Sequence, residues 1–424
     1  MKYIFADSID TVDPGYDFIQ DRNSPSRQNH WDDQYPHELM DNPPYDGILI
    51  SRGIVGDHRF AGKYTPAQAM RFRRLGARKF LRLDKGACAN MPIFGDCGAF
   101  SYAKEASPPY TCDEILEFYS DAGFTHGCSV DHIIFDFDKE ESGLVAGSAD
   151  ARSRFDITLQ NAQEFISNSK NLGKGFTPLG VVQGWSPSSM GEAAARLESM
   201  GYTYLAVGGL VPLKAEDIHR VLTAIRSRIR ASTELHLLGF AKAEQIGEFV
   251  KYKFSSFDST SPLIRAFKDA KSNYYFPGEN GLQYFSAIRI PQATENNRLL
   301  RMVKTGAVQQ EHLSKLEDRA LKAVRRYDAD SADVDSTAKA VAEYGSLLSG
   351  DAAETSVERS KLYSQILKSA KATLAASPWK NCDCSVCRTA GVEVIIFRSS
   401  NRNKRRGFHN LEVFHKHVQR VLGA

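Results

Sequence analysis

Eight short apolar runs alternate with amphipathic helical patterns between residues 46 and 290, and this alternation constrains the fold more than any other feature of the chain. Most of the runs end in Gly, Asp or Ser. Apolar strands that alternate with helices are typical of a parallel sheet, and eight such units predict an α/β fold of the (β/α)8 barrel type. The predicted strands are residues 46–51, 91–96, 131–138, 176–184, 202–209, 234–240, 252–259 and 282–290.

The character of the sequence changes after residue 291. Residues 292–380 are rich in Ala, Ser and charged residues and carry helical patterns without strand signals, which predicts a helical insertion. Residues 381–424 contain a cysteine motif and a basic tail, and we expect them to form a zinc-binding region that packs on the barrel. The sequence therefore predicts a barrel (1–291), a helical insertion (292–380) and a C-terminal region (381–424).

The composition is that of a globular protein, with 42% apolar and 25% charged residues. The longest apolar runs fall far short of the roughly 20 residues that span a bilayer, so we expect no membrane segment. The first residues, MKYIFADSIDTVDPGYDF, carry acids where a signal peptide would be basic, and the seven cysteines are an odd number. We therefore expect a cytoplasmic protein whose thiols stay reduced.

Three of the cysteines lie within six residues, in the stretch NCDCSVC. Cys382, Cys384 and Cys387 have a C-x-C-x-x-C spacing, and a nitrogen ligand would complete a tetrahedral zinc site. The histidines of the tail, His409, His415 and His417, are the candidates for that ligand. A site with four protein ligands has no open position for water, so the zinc would be structural.

The tail is also basic. From Arg388 to the C-terminus there are eight Lys or Arg residues against two acids, Glu393 and Glu412. Clustered cations release counterions when they contact a nucleic acid, which favours a phosphate-binding surface. The alternative is a solvated face with no partner. The eight cations are Arg388, Arg398, Arg402, Lys404, Arg405, Arg406, Lys416 and Arg420.

Polar residues stand at the carboxyl ends of several predicted strands, which is where barrel enzymes place their catalytic groups. Carboxylates brought together at one mouth raise one another's pKa and suit acid/base and nucleophilic chemistry. Each of them singly could instead be a helix cap or a loop acid, and paired carboxylates on a barrel also occur in glycoside hydrolases. The residues are Asp96, Asp136 or Asp138, Gln183, Gly208, Gly209 and Asp258.

Five motifs in one order resemble the tRNA-guanine transglycosylases, which exchange a guanine base in a nucleic acid for a 7-deazaguanine. These motifs are GDCGAF, GVVQG, AVGGL, SSFDSTSP and CDCSVC followed by FHN. The sequence looks most like the DNA-directed branch of the family, which inserts 7-deazaguanine derivatives into bacterial DNA. The resemblance implies a barrel enzyme with a structural zinc, a DNA substrate, a base such as 7-cyano-7-deazaguanine and a helper protein of the same modification system.

The resemblance also implies roles for individual residues. Asp258 would be the nucleophile that captures the sugar, and Asp96 the general acid/base. Asp136, or Asp138 as its alternative, would read the guanine edge. Further matches are Gln183, Gly208 and Gly209 for the purine carbonyl and its neighbours, Phe100 and Leu238 for the two faces of the ring, and His409 for the zinc.

Departures from the tRNA enzymes bear on the polymer. After Asp258 those enzymes carry Pro-Thr-Arg, whereas this chain continues PLIRAF and leaves Arg265 as the only nearby cation. Ser101 replaces a Gln, and Cys97 replaces a Ser. We therefore expect a DNA substrate gripped by Arg265, Arg402, Lys404, Arg405 and Arg406. The alternatives are a tRNA substrate and a catalytically silent nucleic-acid-binding subunit, although a silent subunit would have no need of Asp96 and Asp258.

Overall fold

Eight parallel strands close into a barrel in sequential order, so the predicted (β/α)8 fold is confirmed. The computed structural model describes residues 1–139, 143–144, 146–240, 242–279, 281–348 and 356–423. The barrel strands are β1 (Lys2–Ala6), β2 (Gly47–Ser51), β3 (Ile93–Asp96), β4 (His126–Cys128), β5 (Thr177–Val182), β6 (Tyr204–Val207), β7 (Glu234–Leu237) and β8 (Ser256–Asp258).

Two of the eight predicted strands were wrong. Residues 131–138 are irregular, and the fourth strand is the short segment His126–Cys128 that precedes them. Residues 282–290 lie outside the barrel, where β9 (Tyr274–Gly278) pairs with β10 (Gly281–Phe285) and β11 (Ile288–Arg289) pairs with β12 (Ile396–Phe397). The missing barrel strand is β1 at the N-terminus.

Close packing explains why an unpromising His-Gly-Cys segment forms β4. The ring of Tyr119 lies against both β3 and β4, and a Cβ atom added at Gly95 or Gly127 would stand 2.3 or 2.5 Å from its ring carbons. Glycine at both positions makes room for the ring. Hydrophobic periodicity does not report such a contact, and it therefore predicts a strand in the more apolar residues 131–138.

Helices follow the strands around the barrel. The helices that lie between β2 and β8 in the sequence are α2 (Arg52–Val55), α3 (Pro66–Leu75), α4 (Ala77–Phe80), α5 (Cys112–Ala122), α6 (Ala149–Asn168), α7 (Pro187–Ser199), α8 (Ala215–Arg226) and α9 (Ile246–Phe249). The other helices are α1 (Pro36–Leu39), α10 (Ser261–Lys268), α11 (Asn297–Lys304), α12 (Gln310–Asp328), α13 (Val334–Ser346), α14 (Ser356–Ala376), α15 (Ser385–Ala390) and α16 (Ser400–Gly423). No helix in the described ranges is long and apolar enough to cross a bilayer.

The chain divides into two compact units whose limits differ from the three predicted ranges. The barrel unit comprises Met1–Asp10, Tyr45–Ser261 and Val418–Ala424, and the second unit comprises Thr11–Pro44 and Pro262–His417. The helical segment and the cysteine motif therefore share one unit with an N-terminal segment. Contacts between residues that are hundreds of positions apart define this unit, and no local sequence signal reports them.

Side chains from successive strands fill the barrel interior. The central cluster consists of Ile4, Leu49, Phe94, Cys128, Leu179, Val181, Tyr204 and Ala206, all at most 4% exposed. A filled interior leaves the carboxyl ends of the strands as the place where a cavity can form. Ser51 at the end of β2 lies in register with Asp96 at the end of β3, so polar side chains meet at this end.

Candidate active site and metal centre

A cavity of about 610 Å³ opens at the carboxyl ends of the barrel strands. Many of the residues predicted for the site line it, and two acids that were not predicted, Asp7 and Asp131, line it as well. The predicted residues in its wall are Asp96, Phe100, Gln183, Gly208, Gly209, Leu238 and Asp258. Sequence reasoning therefore brought together most of this site, although it missed two of its carboxyl groups.

Asp96 ends β3 with a carboxyl group that is held by two donors. Its Oδ1 accepts the hydroxyl of Ser51 at 2.9 Å and the backbone N–H of Gly98 at 2.5 Å. Burial raises the pKa of Asp96 to about 6, against the two hydrogen bonds, and the negative charges of Asp258 and Asp131 add to the shift. A carboxyl group with this pKa can donate and accept a proton near neutral pH.

Asp258 ends β8 and is almost fully buried at the cavity wall. Its Oδ1 accepts the backbone N–H of Gly239 at 2.8 Å and lies 3.2 Å from Nε2 of His236. The backbone N–H donates to this oxygen, and a proton on Nε2 would let His236 donate to it as well. Asp258 and Asp96 therefore face one cavity in different surroundings, which is the arrangement that lets two carboxyl groups take different roles.

Asp131 occupies the cavity three residues beyond β4 and is held by side chains on both oxygens. The thiol of Cys97 donates to Oδ1 at 3.0 Å, and the amide of Gln183 donates to Oδ2 at 2.7 Å. Burial raises the pKa of the Cys97 thiol, which keeps it protonated as a donor, and burial also raises the pKa of Asp131. The Tyr102 hydroxyl donates to the Asp131 carbonyl at 3.0 Å and fixes the backbone there.

Asp136 and Asp138, the predicted readers of the base, lie outside the cavity wall. Both side chains are exposed, and Asp136 accepts the hydroxyl of Ser148 at 2.7 Å. The prediction assumed that residues 131–138 form a strand whose last acids reach the mouth. Because the strand ends at Cys128, the acid nearest its end is Asp131.

Glycine is required beside Gln183. A Cβ atom added at Gly208 would stand 2.5 Å from the Gln183 amide nitrogen, and Gly209 has φ of 70°, a value that L residues rarely adopt. Phe100 lies on the rim with 65% of its surface exposed, and Leu238 is partly buried against the barrel core. An exposed aromatic ring at the mouth is a surface on which a base can stack.

Asp7 was missed because β1 was missed. The stretch YIFAD has the same form as IFGD, an apolar run that ends in Asp, and this pattern was the available signal. His236 was missed for a different reason. It sits in the middle of β7, inside the barrel, and only the register of β7 with β8 brings it beneath Asp258.

The predicted metal ligands meet in the second unit. The three thiols and the histidine, Cys382, Cys384, Cys387 and His409, are buried, and their ligand atoms all lie within 4.8 Å of one another. The Nδ1 atom of His409 is 3.6, 3.2 and 3.4 Å from the three sulfurs, in that order. A tetrahedral zinc with ordinary bond lengths separates nitrogen from sulfur by about 3.5 Å.

Neighbouring groups hold these ligands in place. Nε2 of His409 donates to the carbonyl of Tyr275 at 2.7 Å, which directs Nδ1 towards the sulfurs. The Tyr274 hydroxyl lies 3.1 Å from the Cys387 sulfur, and its ring stacks on the His409 ring with centroids 4.0 Å apart. The four ligands could thus hold a metal ion, and among the described residues His415 and His417 belong to no such cluster.

Three of the five predicted phosphate-binding cations are buried, so that prediction was wrong for them. Arg402 and Arg406 are 0% exposed and Arg405 is 4% exposed. The Arg402 guanidinium bonds Glu393 at 2.7 Å and also contacts Asp21. Arg406 bonds backbone carbonyls, including those of Val394 at 3.2 Å and Ile396 at 3.3 Å.

Burial has the expected electrostatic effect on these arginines. It lowers the pKa of Arg402 to about 10 and that of Arg406 to about 9. Their charge stabilises the second unit from within and cannot reach a phosphate. The other two predicted contacts, Arg265 and Lys404, are half-buried, with the Lys404 ammonium 3.2 Å from the Thr11 carbonyl.

The chain is similar to known proteins, in one case along its whole length. Over 424 residues the chain is 40% identical to a DNA-guanine transglycosylase of Salmonella montevideo, and the alignment covers 97% of that protein. It is 27% identical over 248 residues to a queuine tRNA-ribosyltransferase of Psychrobacter cryohalolentis, which is 55% of this chain and 62% of the relative. A queuine tRNA-ribosyltransferase of Shewanella loihica is 27% identical over 140 residues, 32% of this chain and 36% of the relative.

No family model matches the chain. By name, the full-length relative is a guanine transglycosylase of DNA and the partial relatives are queuine ribosyltransferases of tRNA, and both are pentosyltransferases. Identity of 40% along the whole chain is far above that of the partial matches. The chain therefore belongs to the guanine transglycosylase superfamily, in its DNA-modifying branch.

Proposed function

We propose that the protein exchanges guanine in DNA for a 7-deazaguanine through a covalent intermediate between Asp258 and the sugar. The observation that carries this proposal is the convergence of Asp96, Asp131 and Asp258 on one cavity of a chain whose full-length relative is a DNA-guanine transglycosylase. A silent subunit would have no need of these groups, which argues for catalysis.

The chemistry requires a nucleophile and a proton donor on one nucleotide. A carboxylate oxygen of Asp258 attacks C1′, the C1′–N9 bond breaks, and its electron pair leaves with the base. Asp96, with a pKa of about 6, gives a proton to the departing guanine and afterwards takes one from the incoming base. N9 of the incoming base then attacks C1′ and releases the Asp258 carboxylate, so the protein is unchanged after one cycle.

Asp131 and Gln183 fit the edge of guanine. The base presents N1–H and an amino group as donors and O6 as an acceptor. The carboxylate of Asp131 matches the two donors, and the amide of Gln183 matches O6, once the bond between them opens for the base. We propose Asp131 for the base-reading role that the sequence assigned to Asp136 or Asp138.

The incoming base would be a 7-deazaguanine such as 7-cyano-7-deazaguanine. Replacing N7 by carbon leaves N1–H, the amino group, O6 and N9 in place, so the same pocket can hold both partners of the exchange. The target base must leave the helical stack to reach the cavity, and the exposed Phe100 ring offers a surface for it. We propose that the enzyme works in the cytoplasm with a helper protein of the same modification system.

We propose that the four buried ligands of the second unit hold a structural zinc. When bound, zinc would cross-link Cys382, Cys384, Cys387 and His409 without taking part in the reaction, because no ligand position remains for water. The protein's own contribution is the fixed direction of the His409 ring.

Labelled guanine tests the proposal. Purified protein is incubated with labelled guanine and either duplex DNA or tRNA, and the label that enters each polymer is counted. We expect label in DNA that is chased out by a 7-deazaguanine. Label in tRNA alone would favour the tRNA activity of the partial relatives, and label in neither, with the helper protein present, would contradict catalysis.

A further inference from the structure

A chain of buried polar side chains runs through the barrel interior to Asp258. The Tyr204 hydroxyl lies 2.6 Å from Oγ of Ser256, which lies 2.6 Å from Nδ1 of His236. Nε2 of His236 lies 3.2 Å from Oδ1 of Asp258. Tyr204, Ser256 and His236 are at most 4% exposed, and Asp258, at 6%, is the member of the chain that borders the cavity.

The hydrogen bonds of this chain have one consistent direction. A carboxylate only accepts, so the proton of the neutral imidazole must be on Nε2, facing Asp258. Nδ1 is then an acceptor and receives the Ser256 hydroxyl proton, and Oγ of Ser256 receives the proton of the Tyr204 phenol. Every N–H and O–H donor of the chain has an acceptor in this arrangement, which sets the tautomer of His236.

Packing fixes the ring as well. The imidazole of His236 stacks on Phe94, with centroids 5.1 Å apart and an angle of 24°. On Phe94 there is a second imidazole, His126, with centroids 4.3 Å apart. His126 bonds Thr125 at 2.8 Å and does not contact Asp258, so the two histidines share a structural neighbour but differ in what their nitrogens reach.

We propose that His236 is a positioning residue for the nucleophile, with its tautomer set by Ser256 and Tyr204. This rests on the proposed role of Asp258. His236 and Gly239 both donate to Oδ1, and within the described residues no hydrogen bond reaches Oδ2. Oδ2 is therefore the oxygen that attacks C1′, while Oδ1 stays in its two hydrogen bonds and becomes the carbonyl oxygen of the sugar ester.

A set of matched variants tests this inference. His236→Phe removes the donor but keeps a ring against Phe94, and Ser256 and Tyr204 can still bond each other. His236→Gln restores an N–H donor at a similar reach. His126→Phe makes the same ring change at the second imidazole that stacks on Phe94 and is the control. For each we would measure kcat and KM for guanine exchange, and the melting temperature.

We expect His236→Phe to lower kcat by about 10- to 100-fold with KM changed less than about threefold, as the loss of a hydrogen bond to a charged group predicts. His236→Gln should recover a part of that loss, and His126→Phe should keep the parental kcat. A parental kcat in His236→Phe, or equal losses in the Phe and Gln variants, would overturn the inference while exchange by the parent protein leaves the proposed function intact.

A readout that needs no turnover separates the two proposals. In protein labelled with ¹⁵N-histidine, the shifts of His236 should report a proton on Nε2, and Asp258→Asn should move the Nε2 resonance more than any other histidine resonance. Ser256→Ala removes the hydroxyl that donates to Nδ1, so the His236 imidazole should then also populate the form with its proton on Nδ1. A proton found on Nδ1 in the parent protein would overturn the inference, whatever reaction the enzyme performs.

Discussion

The barrel mouth and the start of helix α16 each gather charged side chains, yet they use the charge in opposite ways. At the mouth, Asp96 and Asp258 border an open cavity and keep oxygen atoms available to a ligand. On α16, the guanidinium groups of Arg402 and Arg406 donate hydrogen bonds to groups inside the second unit. A cluster of charges in a sequence therefore indicates function only when the fold leaves the charged atoms facing a space that a ligand can enter.

The largest expected effect concerns the mouth. Asp258→Asn removes the proposed nucleophile but keeps a side chain of the same size, and we expect guanine exchange to fall by about 10⁴-fold or more. Asp136→Asn is the control, because its exposed carboxylate lies outside the cavity, and it should keep exchange within about twofold. Initial rates of label incorporation measure both. A large loss in the Asp136 variant would return the base-reading role to Asp136.

The next effect concerns the metal ligands. Cys384→Ser should lose the metal and destabilise the second unit, since metal binding at such a site is coupled to folding. Metal analysis of the parent protein should give about one zinc per chain. Cys112→Ser is the control, because a hydroxyl can replace the thiol that bonds the Asn161 carbonyl at 3.3 Å. A parent protein that is folded and free of metal would contradict the assignment.

Arg406 tests the other side of the comparison. Arg406→Ala leaves several buried carbonyl oxygens without a donor, and we expect a loss of about 3–5 kcal/mol in the free energy of unfolding. Lys416→Ala, which breaks ion pairs with Asp383 and Glu412 at a side chain 49% exposed, should cost about 0–1 kcal/mol. Denaturant unfolding measures both.

A second variant of Arg406 separates a structural role from phosphate binding. If Arg406 acts only inside the fold, the salt dependence of DNA binding should keep its slope in a neutral variant that remains folded, for instance Arg406→Gln. A decrease of about 0.9 in the log–log slope would mean that one phosphate contact had been lost. That result would reinstate the reading of the tail as a nucleic-acid surface.

The smallest expected effect is on stability: replacing Asp96 by Asn should stabilise the folded protein at high pH. Because burial raises the pKa of this carboxyl to about 6, the folded protein binds its proton more tightly than the unfolded chain does. The resulting stability is present below about pH 4 and is lost as the pH rises through about 6. Asp96→Asn has no carboxyl group to deprotonate, so its stability should not fall over this pH range.

We therefore expect Asp96→Asn to be more stable than the parent by about 1–2 kcal/mol at pH 8, and equal to it near pH 4. Two pKa units correspond to about 3 kcal/mol, and partial solvent contact at the cavity reduces the gain. Guanine exchange should nevertheless fall by about 10²–10⁴-fold. Equal stability of both proteins at pH 8 would show that the Asp96 carboxyl is not perturbed by burial.

The residues that sequence reasoning located are those whose role depends on the end of a regular strand or on a fixed local spacing. Asp96 and Asp258 end strands with clear apolar patterns, and the three cysteines lie within one turn-sized motif. Asp131 escaped because β4 is only three residues long and owes its position to the Tyr119 ring. The burial of Arg406 escaped because it depends on residues from distant parts of the second unit, which a charge count does not report.

We propose that the acids at the barrel mouth carry out base exchange on DNA by way of a sugar ester of Asp258. Denaturing the protein during turnover with a DNA duplex and mapping the attached nucleotide by peptide mass spectrometry tests this claim directly. We predict a DNA adduct on the peptide that contains Asp258, present in the parent protein and missing from Asp258→Asn. An adduct on another residue, or one that forms with tRNA and never with DNA, would contradict the account.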